Sequence, residues 1–175
     1  MNKAQAMVLA AAWLVASCPQ AAEVAGVKLD DKLQVGGQEL VLNGAGLRTK
    51  FFIKVYVGAL YTGQKATMPA TLIDSPAPRR MLLRMLRDMD ADSLHNALDE
   101  GLRNNLTTPE LAELRSQIEQ LGMLMKGIGK VKEGDSIAID FGSAGVEVGL
   151  NGRSRGRIEG PAFARALLKV WLGDN

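Results

Sequence analysis

The chain has 175 residues, of which 47% are hydrophobic and 23% are charged. This composition is that of a globular domain and excludes an intrinsically disordered chain. The formal net charge is only +2 and aromatic residues make up 5%, so a basic, aromatic-rich surface for nucleic acid is not expected. The length favours one domain, large enough to bury a core and one ligand cavity.

Residues 1–22 have the features of a signal peptide. Lys3 supplies a short positive start, residues 7–15 (MVLAAAWLV) form an apolar core, and small residues follow. That core is too short to span a bilayer as a helix. We therefore predict cleavage after Ala22, a single domain over residues 23–175, and a periplasmic location.

A second interpretation of the same region is lipid attachment. Residues 15–18 (VASC) are similar to the lipobox of bacterial lipoproteins, which would make Cys18 a lipid anchor. Cys18 is the only cysteine of the chain. The domain therefore has no internal disulfide and no cysteine-based metal or redox site.

The first half of the domain is predicted to consist of strands. Residues 27–42 alternate in short pieces about Gly36-Gly37, which predicts two short strands and a turn. Residues 43–46 (NGAG) are predicted to form a loop or bulge. Residues 50–61 indicate a strong strand with one apolar face and one mixed face. Further strands are predicted at residues 70–73 and 80–87.

Helices and a last group of strands follow. Asp90 is a candidate N-cap, and Thr108-Pro109 starts a second helix whose apolar stripe runs to Met125. Asn151-Gly152 between alternating runs is a strong hairpin signal. The remaining predicted elements are strands at residues 136–141, 145–150 and 153–158 and a closing helix at residues 161–171. This order indicates an α+β fold.

Most catalytic and metal-binding templates find no match. His95 is the only histidine, so a His-rich metal site is excluded and a Ser–His–acid triad would depend on it alone. Asp88, Asp90 and Asp92 lie at a helix start, where carboxylates cap the helix and complement its dipole. No cofactor or metal is expected.

Three arginines alternate along the last predicted strand. Arg153, Arg155 and Arg157 are expected to project from one face. Such a stripe could contact an anionic membrane surface. The favoured interpretation is that exposed arginines solvate an edge strand and block edge pairing.

The most informative pair is Arg48 with Tyr56. Arg48 follows a glycine-rich bend, and Tyr56 lies on the mixed face of the next predicted strand. A guanidinium offers a planar fork of donors that matches a carboxylate or phenolate, and a tyrosine hydroxyl adds another donor. Together they would bind the acidic end of an apolar molecule. The alternative is an arginine at a loop edge and an interfacial tyrosine.

Two long segments resemble the signatures of a known family. Residues 43–61 (NGAGLRTKFFIKVYVGALY) are similar to the opening of the chalcone isomerase-like family, and residues 150–174 (LNGRSRGRIEGPAFARALLKVWLGD) to its ending. The resemblance spans residues 24–174 and is greatest to the exported bacterial branch. It implies an open-faced β-sandwich, with a large antiparallel sheet, helices packed on one side and a ligand cleft between.

The family includes plant isomerases, which close chalcones to flavanones, and fatty-acid-binding members without that activity. Arg48 matches an arginine in the cleft of both groups. Tyr56 stands where the isomerases have a threonine, as in the fatty-acid-binding members. The isomerases also place a tyrosine, a lysine and an asparagine near a later helix start, whereas residues 87–105 contain neither Tyr nor Lys.

The resemblance therefore implies a non-catalytic protein that binds a fatty acid or similar small acidic amphiphile through Arg48 and Tyr56. One alternative is an isomerase (an intramolecular lyase) for a chalcone-like phenolic substrate, in which Arg48 would stabilise the developing charge. Another is a cell-envelope interaction protein with no ligand.

Overall fold

The computed structural model describes residues 22–174. The strands are β1 (Ala22–Val24), β2 (Val27–Leu29), β3 (Lys32–Val35), β4 (Gln38–Lys50), β5 (Ile53–Thr62), β6 (Arg79–Met85), β7 (Ser136–Gly142), β8 (Gly145–Leu150) and β9 (Arg153–Glu159). The helices are α1 (Pro69–Asp74), α2 (Ala91–Asn105), α3 (Thr108–Glu113), α4 (Arg115–Ile128) and α5 (Pro161–Leu172). The predicted signal segment lies outside the described residues except for Ala22, which begins β1.

Strands β3 to β9 form one curled antiparallel sheet in which the strand order is the chain order, and β1 and β2 form a separate hairpin. The helices pack on one face of the large sheet. We call that face the inner face and the opposite one the outer face. The predicted α+β arrangement, an antiparallel sheet with helices on one side, is confirmed. Within residues 22–174, no helix is both long enough and apolar enough to cross a bilayer.

The main core lies between the inner face and the helices. Alternation along β6 turns Arg79, Met81, Leu83 and Met85 inward, and each is at most 3% exposed. The neighbouring strands and the apolar stripes of α2, α4 and α5 complete the same cluster, with Ile139, Val148, Leu102, Leu121, Phe163 and Leu167 among its fully buried members.

The outer face is apolar on one half and polar on the other. Tyr61 of β5 packs with Leu29 in a second buried cluster beneath the β1–β2 hairpin. The Tyr61 hydroxyl donates to the carbonyl oxygen of Asp30 at 2.9 Å. Across β6 and β7 the outer face instead carries a two-bond ion pair between Arg80 and Asp140, both at 2.6 Å.

The helix starts follow the capping signals of the sequence. The Asp90 carboxylate accepts from the backbone N–H of Ser93 at 2.7 Å at the start of α2, so the predicted cap is confirmed. Thr107 and Glu110 form a capping box that starts α3 at the predicted place. The predicted single helix is in fact two, because Leu114 (φ −96°, ψ 7°) ends α3 before α4 begins.

The strand predicted at residues 70–73 is wrong, because this segment belongs to α1. Leu72 and Ile73 are buried there, and a short apolar run does not distinguish a buried helix turn from a strand. The buried Arg79 side chain donates to the carbonyl oxygens of Leu72 and Ile73, the latter at 3.1 Å. It thereby binds carbonyls that the end of the helix leaves free.

The glycine-rich bend and the strand after it also differ from expectation. Residues 43–46 lie within β4, with a register shift between Leu42 and Gly44, so the predicted bulge is confirmed and the loop is not. Residues 50–61 are not one strand. Phe51 and Phe52 form the turn between β4 and β5.

The arginine stripe of β9 is broken by a bulge. Arg157 pairs with Glu147, whereas Arg153 pairs with Leu150, which is part of the main core. Directly paired residues share a face, so Arg157 lies on the outer face and Arg153 on the inner side. The register shift falls next to Arg155. The prediction of three arginines on one face is wrong.

Candidate ligand-binding cleft

A cleft of about 1020 Å³ opens between the inner face of β4 and β5 and the helices. Its sheet wall is formed by β4, β5 and β6, its helical wall by α2, and one end by the last turn of α5. This volume is at the upper end of the usual range for small-molecule sites.

Three glycines create the space. Gly46 pairs directly with Gly58, and Gly44 pairs with Leu60. Leu60 belongs to the main core, so all four positions lie on the inner face. A Cβ atom built on Gly44 or Gly46 meets no other atom within 4 Å. The inner face of β4 therefore presents bare backbone at positions where β6 to β8 carry large side chains. This leaves an unfilled space between β4 and helix α2.

The two predicted site residues are brought together at this wall. Arg48 and Tyr56 are direct partners in the β4–β5 ladder, so their side chains share the inner face. Both line the cleft, Arg48 as an exposed side chain and Tyr56 as a partly buried one. Burial raises the pKa of the Tyr56 hydroxyl, while the Trp171 hydrogen bond and the Arg48 charge oppose this rise less strongly. Tyr56 is therefore a neutral donor at physiological pH.

Trp171, near the end of α5, completes the group. Its indole Nε1–H donates to the Tyr56 hydroxyl oxygen at 3.0 Å. A tyrosine hydroxyl has one proton to donate, and because the oxygen accepts from the indole, the proton remains available for another acceptor. The sequence patterns give no sign of this contact, which joins residues 115 positions apart.

Apolar side chains cover part of both walls of the cleft. Leu60, Met81 and Leu83 form its floor on the sheet, and α2 contributes Leu94 and Leu98. The end of α5 closes against α2 at Gly101, where a Cβ atom would lie only 2.6 Å from a methyl group of Val170. A larger residue at position 101 would force the Val170 side chain to move, so glycine allows α2 and α5 to approach closely at that end of the cleft.

Charged pairs lie around the rim. Lys50 of β4 and Glu100 of α2 approach to 3.6 Å across the cleft, and Lys130 and Asp88 approach to 3.1 Å. The backbone N–H of Glu133, followed by Lys130, lowers the pKa of the exposed Asp88 carboxyl. Exposed pairs of this kind contribute little to stability, so their main effect is on the charge that an entering molecule meets.

Of the other polar candidates, Asp88 and Asp90 also line the cleft, whereas Asp92 and His95 do not. His95 packs from α2 against α4, where its ring is 3.1 Å from a Cβ atom built on Gly122, and it is not part of the cleft lining. Asp90 is engaged in its helix cap. Among residues 22–174, no group of three His, Cys, Asp or Glu side chains is arranged to hold a metal ion.

Comparisons with known proteins agree with this architecture. A family model described as "Chalcone isomerase-like" matches residues 21–175. A fatty-acid binding protein of Arabidopsis thaliana has a similar structure, with a TM-score of 0.69, 15% sequence identity and coverage of 86% of each chain. Comparison with curated protein sequences gives no match. The resemblance seen in the sequence is thus confirmed: the chain belongs to the chalcone isomerase-like family.

Proposed function

We propose that this protein binds a fatty acid or a similar small acidic amphiphile in the cleft and does not convert it. The observation that carries the proposal is the direct pairing of Arg48 with Tyr56 beside an inner face emptied by glycines. The pair offers donors for an anion, and leucine and methionine side chains elsewhere in the cleft offer apolar walls.

The polar end suits a carboxylate. The Arg48 guanidinium can donate two parallel bonds to its oxygens, and such charge-assisted bonds are about twice as strong as neutral ones. The Tyr56 hydroxyl, whose oxygen accepts from Trp171, has its proton free for a third bond. Trp171 is thus a positioning residue, since it orients the donor without needing to contact the ligand.

The apolar end suits an acyl chain. Leucine and methionine side chains from β5, β6 and α2 line it, and methionine adapts its shape to flexible ligands. Each buried methylene of such a chain contributes about 0.8 kcal/mol. The similar Arabidopsis structure, a fatty-acid binding protein, supports the same class of ligand, although at 15% identity the likeness concerns the fold.

We also propose that the protein is exported to a periplasm. The proposal is supported by residues 1–22, with their short positive start and apolar core. The mass of the protein recovered from its native host tests it. Loss of residues 1–22 is expected, a lipid on Cys18 would show anchoring instead, and an intact chain would contradict export.

Intrinsic fluorescence tests ligand binding. Trp171 lines the cleft and the only other tryptophan is Trp13, so in a Trp13→Phe background a hexadecanoic acid brominated along its chain should quench Trp171. Arg48→Gln should weaken binding about tenfold or more, and Tyr56→Phe about threefold to tenfold.

Arg155→Gln, an exposed arginine on β9, is the matched control and should bind like the parent. Absence of quenching, or equal affinity in Arg48→Gln and the parent, would contradict the proposal. Cyclisation of a chalcone faster than its spontaneous rate would contradict the non-catalytic part and favour the isomerase alternative.

A further inference from the structure

Four of the six exposed large hydrophobic residues within residues 22–174 lie in or beside the turn between β4 and β5. Phe51 is 83% exposed and Phe52 is fully exposed, and Leu47 and Ile53 beside them are also exposed. Elsewhere in residues 22–174, the only large hydrophobic side chains exposed to this degree are two methionines, Met68 and Met123. We call residues 47–54 the hairpin tip.

The two phenylalanines occupy a backbone conformation that disfavours them. Phe51 has φ +48° and Phe52 has φ +64°, and a positive φ is an outlier for a bulky residue. The other two-residue turns with two successive positive φ angles all have glycine in second place: Ala25-Gly26, Gly36-Gly37 and Asn151-Gly152. Folding alone would favour Asn-Gly here, and an observed outlier of this kind points to a function.

The charge of the hairpin tip narrows the kind of partner. It contains Arg48, Lys50 and Lys54 and no acidic residue. Lys50 has Glu100 nearby at 3.6 Å, whereas Lys54 is exposed on β5. Exposed aromatic side chains with lysines nearby suit the interface of an anionic bilayer. There the aromatic rings enter the headgroup region and the cations bind lipid phosphates.

We propose that the hairpin tip docks on an anionic phospholipid surface, with Phe51 and Phe52 inserted and Lys54 at the headgroups. Lys50, Phe51 and Ile53 also line the cleft, so docking sets the cleft mouth against the lipid. Docking requires nothing bound in the cleft. Its use as a route for an amphiphile between membrane and cleft rests on the function proposed above.

A local fluorescent probe tests the docking in the full chain. In a Cys18→Ser background, an environment-sensitive dye on Thr49→Cys reports on the hairpin tip, and the same dye on Met123→Cys of α4 is the matched control. With vesicles of phosphatidylglycerol and phosphatidylcholine, emission at position 49 should shift to the blue and emission at position 123 should not. Residues 1–22 are common to all variants, so any contribution of theirs to vesicle binding is the same in each.

Two changes at the hairpin tip should weaken the response by different amounts. Phe51→Asn with Phe52→Gly, which relieves the turn, should lower the apparent affinity for these vesicles by about 30-fold or more. Lys54→Ser should lower it about fivefold, as expected for one cation near an anionic surface. High salt should weaken binding of the parent in the same direction.

Each contrary outcome is informative. No shift at position 49, or an equal shift in the Asn-Gly variant, would overturn the proposal. A shift that depends on protein concentration without vesicles would overturn it in favour of a second copy of this chain. Gly46→Leu, which fills the cleft without changing a residue of the hairpin tip, should still dock, so a failure of docking and a failure of ligand binding are distinguishable.

Discussion

The β4–β5 and β8–β9 hairpins belong to the same sheet but use their residues differently. In β8–β9 most inner positions carry buried apolar side chains, those of Val146, Val148, Leu150 and Ile158, and the glycine among them, Gly156, lies close to Leu124. In β4–β5 several of the corresponding positions are glycine. The filled hairpin contributes to the core, whereas the emptied one provides a wall of the cleft.

The turns of the two hairpins also differ, in how well their residues suit the backbone conformation. Both have two successive residues with positive φ. Asn151-Gly152 is the pair that such turns favour, and the Asn151 side chain also accepts from the backbone N–H of Ser136 at 2.8 Å and donates to Asp135 at 2.9 Å. Phe51-Phe52 fits the geometry poorly and projects into solvent. Departures from local rules in an otherwise consistent fold mark functional positions.

Exchanging the two turns should give the largest effect. Asn151→Phe with Gly152→Phe should destabilise the protein by about 2–4 kcal/mol, because it adds strain and removes two side-chain hydrogen bonds. Phe51→Asn with Phe52→Gly should instead stabilise it by about 1–2 kcal/mol. Urea unfolding of both variants measures the difference. Destabilisation by the second exchange would show that the phenylalanines support the fold and would remove the strain argument.

Filling the emptied wall should separate binding from stability. Gly46→Leu places a side chain where none is within 4 Å, so it should weaken fatty-acid binding at least about tenfold, or about 1.4 kcal/mol, without lowering the free energy of unfolding. Gly142→Leu at the end of β7 is the control, since it also has open space around its Cβ position but does not line the cleft. Unchanged affinity in Gly46→Leu would mean that the ligand binds elsewhere.

The smallest effect concerns alkaline pH. Both tyrosines of the chain lie in β5, and burial raises the pKa of each above 10.0. Because the folded-state pKa exceeds the unfolded value, the stabilisation is complete below about pH 10 and is lost as pH rises through the folded-state pKa. Tyr56→Phe removes one such group. The free energy of unfolding of the Tyr56→Phe variant should therefore fall less than that of the parent between about pH 8 and about pH 11. An equal fall in the two proteins would contradict a raised pKa of Tyr56.

Local signals in the sequence predicted much of the fold. Asp90, Thr108-Pro109 and Asn151-Gly152 act within a few residues of their own positions, so helix starts and the hairpin could be predicted from the order of residues alone. The family resemblance supplied the layered arrangement. The wrong predictions concern segments whose residues fit two kinds of local structure. Leu72 and Ile73 form a short apolar run that fits a strand or a buried helix turn equally well.

The same ambiguity affected the glycines of β4. Glycine in a sequence usually indicates a turn, and only the pairing of Gly46 with Gly58 shows that it empties a wall. Arg48 and Tyr56 could be proposed as partners because they lie on adjoining segments. Trp171 could not, because its contact with Tyr56 depends on how α5 packs across the sheet.

The order of the large sheet has a consequence for how the protein is made. Since neighbouring strands are consecutive in the chain, each strand can join the edge left by its predecessor as the polypeptide emerges from its N-terminus onward. The last helix supplies Val170 and Trp171 to one end of the cleft. An amphiphile therefore meets a complete pocket only after α5 has packed, and until then the apolar inner face of the sheet stays partly uncovered.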